Sequence, residues 1–435
     1  MSTEPKRSEQ STKRKTREEN VDTADGNLPE KKVHPFFSKK QATDNTSTEP
    51  VTWKEHNSLL IGETDHTSGR AKIAAFDLDG TIITVKGKHV HAKNADDWRF
   101  LFEVIPDKLE ELYQNGYKIV LFSNQGGLKP RNGKISPKRA MFMTKVQNIV
   151  RNLEVPIQIF VSTAYDHYRK PCGGMWEHLV KEANDNIEID VESSLYVGDA
   201  AGRPAGWKQG VKKDFSDSDR KFAANLNLKF YTPEEYFLGE AAAPFSFGEF
   251  DPKVYPNDLP LFTPTTSPLV PQDKDKQEIV IFVGHPASGK TTFAKQYFVS
   301  EGYVHINQDT LHTRDKCINA CEKAVANKSS VVIDNTNPDQ ATRAHYIKIA
   351  KQHNVPIRCF RFLANEALAM HNNMFRALSG VGEPRPVLPD LAFKTFTSRL
   401  QEPQVDEGFV EIKEIHFKPE FKDESALEKW KMWYR

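Results

Sequence analysis

Two apolar runs, far apart in the chain, each break off into a polar motif, and together they limit the fold to a small set. The first, residues 73–84, reads IAAFDLDGTIIT and puts Asp77 and Asp79 at its polar end, with Thr81 just beyond. The second, residues 278–292, reads EIVIFVGHPASGKTT and closes on Lys290 and Thr291. An unbroken apolar run of this length marks a strand covered on both faces, as in parallel sheets flanked by helices. Further runs of this kind follow each of them. KIVLFSN, IQIFVST and SLYVGDA come after the first; YVHIN, SSVVIDNTN and PIRCFRFL come after the second. Residues 97–115 and 136–153 have helical spacing, so the pattern is a βαβ series and the fold class is α/β, doubly wound.

At 435 residues the chain is long enough for two such domains and their connections. Residues 1–50 are polar and without apolar period, which predicts a disordered tail. Residues 51–240 form the first domain, 241–275 a Pro-rich linker, and 276–435 the second domain. Hydrophobic residues make up 38% and the net charge is +1, so the molecule as a whole is not a basic nucleic-acid binder. Cys172, Cys317, Cys321 and Cys359 show no metal or disulfide spacing, which favours buried thiols in a reducing intracellular compartment. No signal peptide or membrane span is present, so a soluble protein is expected. Lys6–Arg7 and Lys13–Arg14–Lys15, with Arg17 beyond, have bipartite nuclear-import spacing, and the expected location is the nucleus. The HPFF island at 34–37 is a candidate docking motif for a partner protein.

In an open α/β sheet, functional groups collect at the carboxyl ends of the strands. The first domain offers Asp77 and Asp79, Ser123 and Asn124, Lys170, and Asp199 at such ends. One carboxylate can attack phosphorus, a second two residues on can shuttle protons, and a third can hold a divalent cation. Ser123 and Lys170 are placed to hold phosphoryl oxygens, with Asn124 and Thr81 beside them. An all-oxygen site at Asp77, Asp79 and Asp199 suits Mg²⁺. Asp214 and Asp217 are both candidates for a further outer carboxylate. About forty residues separate Asp79 from Ser123, which leaves no room for a large cap domain, so an open site able to admit a macromolecular phosphate ester is expected.

In the second domain, Gly284-x-x-x-x-Gly289-Lys290-Thr291 between a strand and a helix is a P-loop, with Ser288 and Thr292 in the same turn. Its backbone N–H groups would wrap the phosphates of a nucleoside triphosphate, Lys290 would offset their charge, and Thr291 would ligate Mg²⁺. Asp309 is the candidate base for an acceptor hydroxyl, and Asp334 ends a strand where a carboxylate can organise Mg²⁺. Arg376 and Arg343 are candidate phosphate-binding lid residues.

The residues at 77–81, SN at 123–124, KP at 170–171 and GDAAGR at 198–203 resemble the motifs of the haloacid-dehalogenase phosphatases. Taken with GHPASGKTT, NQDTL, DNTNPD and HNNMFR, they resemble the bifunctional polynucleotide kinase 3′-phosphatases, in the domain order of the eukaryotic DNA-repair enzymes. That resemblance covers nearly all of residues 51–435 and implies a substrate. The expected enzyme hydrolyses 3′-phosphate at DNA strand-break termini and phosphorylates 5′-hydroxyl termini with ATP, using Mg²⁺. It implies Asp77 as nucleophile, Asp79 as acid/base, Lys290 as phosphate clamp and Asp309 as kinase base. RNA end healing, or a small-metabolite kinase fused to a phosphatase, are the alternatives. The tail is too polar to form the forkhead-associated domain of animal relatives, so recruitment through phosphorylated scaffold proteins of that kind is not expected; repair scaffold or ligase proteins met through the tail are a separate partner expectation. A monomer is expected. Met374 stands in the lid motif where a basic residue is expected in some relatives, which puts more weight on Arg376.

Overall fold

The computed structural model describes residues 50–87, 92–128, 136–256, 258–273, 276–383, 385–421 and 423–435. The expected disordered tail, its basic clusters and the 34–37 segment lie outside the described residues. Among those described, no helix is long and apolar enough to cross a membrane.

The strands of the first half are β1 (Thr52–His56), β2 (Leu59–Glu63), β3 (Lys72–Phe76), β4 (Ile83–Thr84), β5 (Arg99–Phe100), β6 (Tyr117–Asn124), β7 (Ile157–Ser162), β8 (Leu195–Val197) and β9 (Lys229–Tyr231). Seven of them make one sheet in the order β1-β2-β7-β6-β3-β8-β9. The expected buried runs are β7, β6, β3 and β8, which pair in parallel within the sheet, and β9 joins β8 in parallel at the far edge. Their side chains alternate between two apolar layers, with Phe76 and Leu121 in one and Phe122 and Tyr196 in the other. The other edge is a hairpin lying before the first of these runs. Residues near Trp53 and Leu59 form a hairpin, and β2 joins β7 antiparallel. The exposed pattern of β1 suits an edge strand.

The helix expected over 97–115 is shorter, Ile105–Gln114. Pro106 lies in its first turn, where a missing N–H costs nothing, and the residues before it take another course. Arg99–Phe100 instead pairs antiparallel with Ile83–Thr84. Ile105, Leu109 and Leu112 form the buried stripe of the helix, each worth about 1.5–3 kcal/mol when fully removed from water. The next helix, Pro137–Val150, begins on a Ser136 side-chain cap followed by Pro137 at its first position.

The second half has β10 (Phe262–Thr263), β11 (Ile279–Val283), β12 (Val304–Ile306), β13 (Val331–Ile333), β14 (Ile357–Phe362) and β15 (Glu411–Ile415), ordered β10-β15-β14-β11-β13-β12. All pairs are parallel except β10 with β15. Strand β10 comes from the segment expected to be a linker, so that segment extends the second sheet. Its aromatics are packed as well: Phe247 stacks on Trp433 and Phe250 lies against His371 and Trp430. Cys172, Cys317, Cys321 and Cys359 are free and buried.

Candidate active sites

In the first sheet β6, β3 and β8 are neighbours, so Ser123, Asp77 and Asp199 emerge side by side at their carboxyl ends. Lys170 reaches the same point after β7. Its ammonium lies 2.6 Å from Asp77, 2.7 Å from Asp219, 2.7 Å from the Phe122 carbonyl and 2.8 Å from the Tyr196 hydroxyl. Burial works against that charge, but Asp219 and Asp77 outweigh it and raise the lysine pKa. Asp77 is pushed up to about 7, by burial first and then by the charges of Asp219 and Asp79 against the pull of Lys170. Asp199 is driven well above the ordinary carboxylate range by burial, then by Asp77 and Asp219.

Three carboxylates, from Asp77, Asp199 and Asp219, each bring an oxygen within 4.8 Å of the others. Buried like charges this close call for a cation, and an all-oxygen donor set fits a hard one such as Mg²⁺. Asp219 was absent from the sequence expectation because it sits on the helix Ser218–Asn225 and not at a strand end. Asp214 and Asp217 do not fill the outer position. Asp214 is engaged by Arg203 at 2.9 Å and Asp217 by Lys221 at 2.7 Å. The metal assignment of Asp79 is also corrected as regards its side chain. That carboxylate is half exposed and takes Lys145 at 2.9 Å and Gln125 at 2.7 Å, outside the three-acid cluster.

Asn124 is corrected too. Its amide accepts from the Lys170 N–H at 3.0 Å and donates to the Lys170 carbonyl at 3.1 Å, so its side chain is committed to the backbone of the lysine. Ser123 is buried and accepts from Gln125 at 3.0 Å. The Thr81 hydroxyl is fully buried with no protein partner. Gly80 is required here: its φ is +92°, and a Cβ would fall 2.4 Å from the Asp199 carboxylate. Sequence reasoning missed Gln125 and Lys145. Lys145 had a signal, since a lysine interrupts the buried stripe Phe142, Val146, Ile149 of its helix.

In the second sheet the loop after β11 runs into the helix Lys290–Tyr297, and Gly289 (φ +92°) makes the turn. A cleft of about 890 Å³ opens over it, lined by Gly289, Lys290, Thr291, Thr292, Asp309, Asp334, Arg376 and Arg385, with Phe417 and Trp430 at one side. Lys290 donates to the carbonyls of Gly284 (3.0 Å) and His285 and to the Ser288 hydroxyl (3.3 Å). Burial foremost pushes its pKa down to about 8. Gly284 and Ser288 therefore hold the lysine from behind and do not line the cleft. Asp334 accepts from Asn307 at 2.9 Å and lies 2.9 Å from His305, while its other oxygen is buried without a partner. Asp334 and Thr291 both line the cleft, and that orphan oxygen suits a cation. Asp309 is exposed to the cleft on the short helix Gln308–Leu311. Arg376 donates to Asn373 at 3.2 Å and leaves its buried Nε unpartnered. Arg385 was missed because it comes from a Pro-rich loop with no periodic signal.

Arg343 does not belong to the cleft. It is fully buried and paired with Glu407 through two bonds of 2.9 and 2.6 Å, with the carbonyls of Pro338 and Gln401 taking another nitrogen. Arg343→Ala is expected to lower unfolding free energy by about 3–5 kcal/mol, because Glu407 would remain buried and unpaired. Denaturant titration checks this; a loss below 1 kcal/mol (about the worth of an exposed pair) would contradict a structural role.

Residues 72–237 match the family model described as polynucleotide kinase 3 phosphatase, and residues 279–403 match one described as an AAA domain. A bifunctional polynucleotide phosphatase/kinase of Schizosaccharomyces pombe is 38% identical over 406 residues, covering 92% of this chain and 93% of that one. A putative bifunctional polynucleotide phosphatase/kinase of Acanthamoeba polyphaga mimivirus is 32% identical, covering 89% of this chain and 95% of that one. A polynucleotide 3′-phosphatase of Saccharomyces cerevisiae is 30% identical over 224 residues, covering 40% of this chain and 91% of that one.

Proposed function

The chain belongs to the bifunctional polynucleotide phosphatase/kinase family, and from this we propose that it removes 3′-phosphate and adds 5′-phosphate at DNA strand breaks. The observation that carries the reading is the presence of both equipped strand ends in one chain: Lys170 between Asp77 and Asp219, and Lys290 beneath a cleft faced by Asp309.

In the proposed phosphatase reaction an Asp77 oxygen attacks phosphorus and the 3′-oxygen leaves with a proton from Asp79. Water then attacks the aspartyl phosphate, giving its proton to Asp79 and freeing inorganic phosphate. Asp79 suits the proton role because its carboxylate is half exposed yet held in place by Lys145 and Gln125. Lys170 offsets charge on the transferring group, and Ser123 and Thr81 offer hydroxyls to its oxygens. Asp77, Asp199 and Asp219 would hold Mg²⁺, which would supply neutralisation of phosphate and carboxylate charge.

In the proposed kinase reaction Asp309 takes the proton of the 5′-hydroxyl as its oxygen bonds to the γ-phosphorus of ATP, and ADP departs. Lys290, Arg376 and Arg385 face the phosphates, and Thr291 and Asp334 would hold the accompanying Mg²⁺. We place the phosphatase in residues 51–240 and the kinase in 276–435, working as a monomer in the nucleus. Repair scaffold or ligase proteins are the proposed partners of residues 1–50.

The test is a nicked DNA duplex bearing 3′-phosphate and 5′-hydroxyl, incubated with protein, ATP and Mg²⁺, each terminus being followed separately. Loss of the 3′-phosphate together with gain of a 5′-phosphate is expected. Preference for a matched RNA nick would move the substrate class to RNA, and turnover of free nucleotides alone would overturn the reading.

A further inference from the structure

The residues Trp433–Arg435 follow the second sheet in sequence, yet their bonds lead to the first site. Asn225 accepts from the Trp433 N–H at 2.9 Å and donates to the Trp433 carbonyl at 2.7 Å. The same amide donates to the Pro171 carbonyl at 2.9 Å, and Pro171 directly follows Lys170. Asn225 ends the helix that carries Asp219. Lys221, on that helix, donates to the Arg435 carbonyl at 3.0 Å. The Cys172 thiol lies 3.9 Å from the Tyr434 carbonyl. Trp433 and Tyr434 are buried, and Phe247 stacks on the Trp433 ring at 4.5 Å.

The other end of this segment is seated in the second half. The Trp430 indole donates to Asn372 at 2.8 Å, its carbonyl accepts from His371 at 2.8 Å, and the Asn372 amide reaches the Ala287 carbonyl of the P-loop at 3.3 Å. Arg435 grips Asp390 through two bonds of 2.8 Å. The segment is therefore clamped at both ends, and its middle lies behind the turn that presents Lys170.

We propose that Trp433–Arg435, which belong in sequence to the kinase half, are positioning residues for the phosphatase: they brace Pro171 and the Asp219 helix through Asn225, and so hold Lys170 against Asp77. The inference rests on the proposed role of Lys170. Without the brace, the Asn225 amide would keep one of its three buried bonds, and the Lys170 turn and Asp219 helix would lose a common support. A displacement of about 1 Å at a reacting group is enough to lower turnover by up to 100-fold.

The experiment compares the full chain with one lacking Trp433–Arg435 and with Asn225→Ala, measuring both activities in each preparation. Hydrolysis of a 3′-phosphorylated oligonucleotide should fall in kcat by about ten-fold or more in both variants, with KM within two-fold. ATP-dependent phosphorylation should stay within two-fold in Asn225→Ala, whose lost bonds are to Pro171 and Trp433, and so report that the protein is folded. The deletion also takes Tyr434 from the core beside Phe375 and Trp430, so only the phosphatase arm of that variant is read. Trp433→Phe keeps the backbone bonds and the ring stack and should restore phosphatase turnover to near the full-chain value. Unchanged phosphatase kcat in a protein whose full-length form is active would overturn the proposal. So would equal loss of both activities in Asn225→Ala, or a change confined to KM. A full-length protein with no phosphatase activity would instead overturn the reading of Lys170 itself.

Discussion

Replacing Asp77 by Asn is expected to reduce 3′-phosphate hydrolysis by on the order of 10⁴-fold or more, while kinase activity stays near wild type. The amide oxygen can still accept from Lys170, so the 2.6 Å contact has a substitute and the turn should keep its shape. What is lost is the anionic oxygen that would bond to phosphorus, and no neighbour replaces it. Asp219 is bonded to the lysine, Asp199 is a buried like charge in the same three-acid cluster, and Asp79 is held apart by Lys145 and Gln125. Stability should move the other way. Burial first, and then neighbouring charge, raises the Asp77 pKa from 3.8 to about 7. Ionising it in the fold is thus harder than in the unfolded chain, and this burden grows as pH rises from about 4 to about 7, remaining above that. Asn carries no such burden, so the metal-free variant at pH 8 should melt no lower than wild type. Residual hydrolysis above one hundredth of wild type, or kinase activity lost in parallel, would show that Asp77 is not the nucleophile of a separate site.

How much of this was legible in the sequence depends on how each group is carried. Asp77, Ser123 and Asp199 follow unbroken apolar runs, and a strand end in a parallel sheet leaves little freedom in where the next residue points. The P-loop was legible for the same reason, its glycines and lysine being bounded by a strand and a helix. Asp219 was not, because twenty residues and a loop separate it from Asp199, and only the fold returns its helix to the cluster. Asn124 and Arg343 were misassigned for a common reason. Sequence gives a side chain's chemistry without saying which backbone it meets first, and both find buried backbone partners before any phosphate. The 241–275 segment, read as a Pro-rich linker, also carries a short strand that its Pro content hid. Prolines exclude a central strand but tolerate an edge, and the two-residue β10 lies at one.

Lys290→Ala should have the reciprocal effect: phosphorylation of a 5′-hydroxyl falls by about 10³-fold and hydrolysis of the 3′-phosphate is unaffected. Lys290 is a buried ammonium gripped by two loop carbonyls and the Ser288 hydroxyl, with its charge supported by Asp334 and Asp309 and opposed by burial. A triphosphate in the cleft supplies far more negative charge than those groups, so the interaction should be strongest where charge accumulates during transfer. Both ATP affinity and turnover should therefore drop, and each can be separated by measuring ATP binding directly beside single-turnover transfer. Lys290→Arg should not rescue turnover. A guanidinium is wider and planar, and the carbonyls of Gly284 and His285 enclose a space shaped for an ammonium. The fold should survive either change, because the P-loop also rests on the bond from the Gly284 N–H to the Thr336 carbonyl and on Asn372 at Ala287. Undiminished phosphoryl transfer by a folded Lys290→Ala protein would remove the cleft from the mechanism, whatever the phosphatase then did.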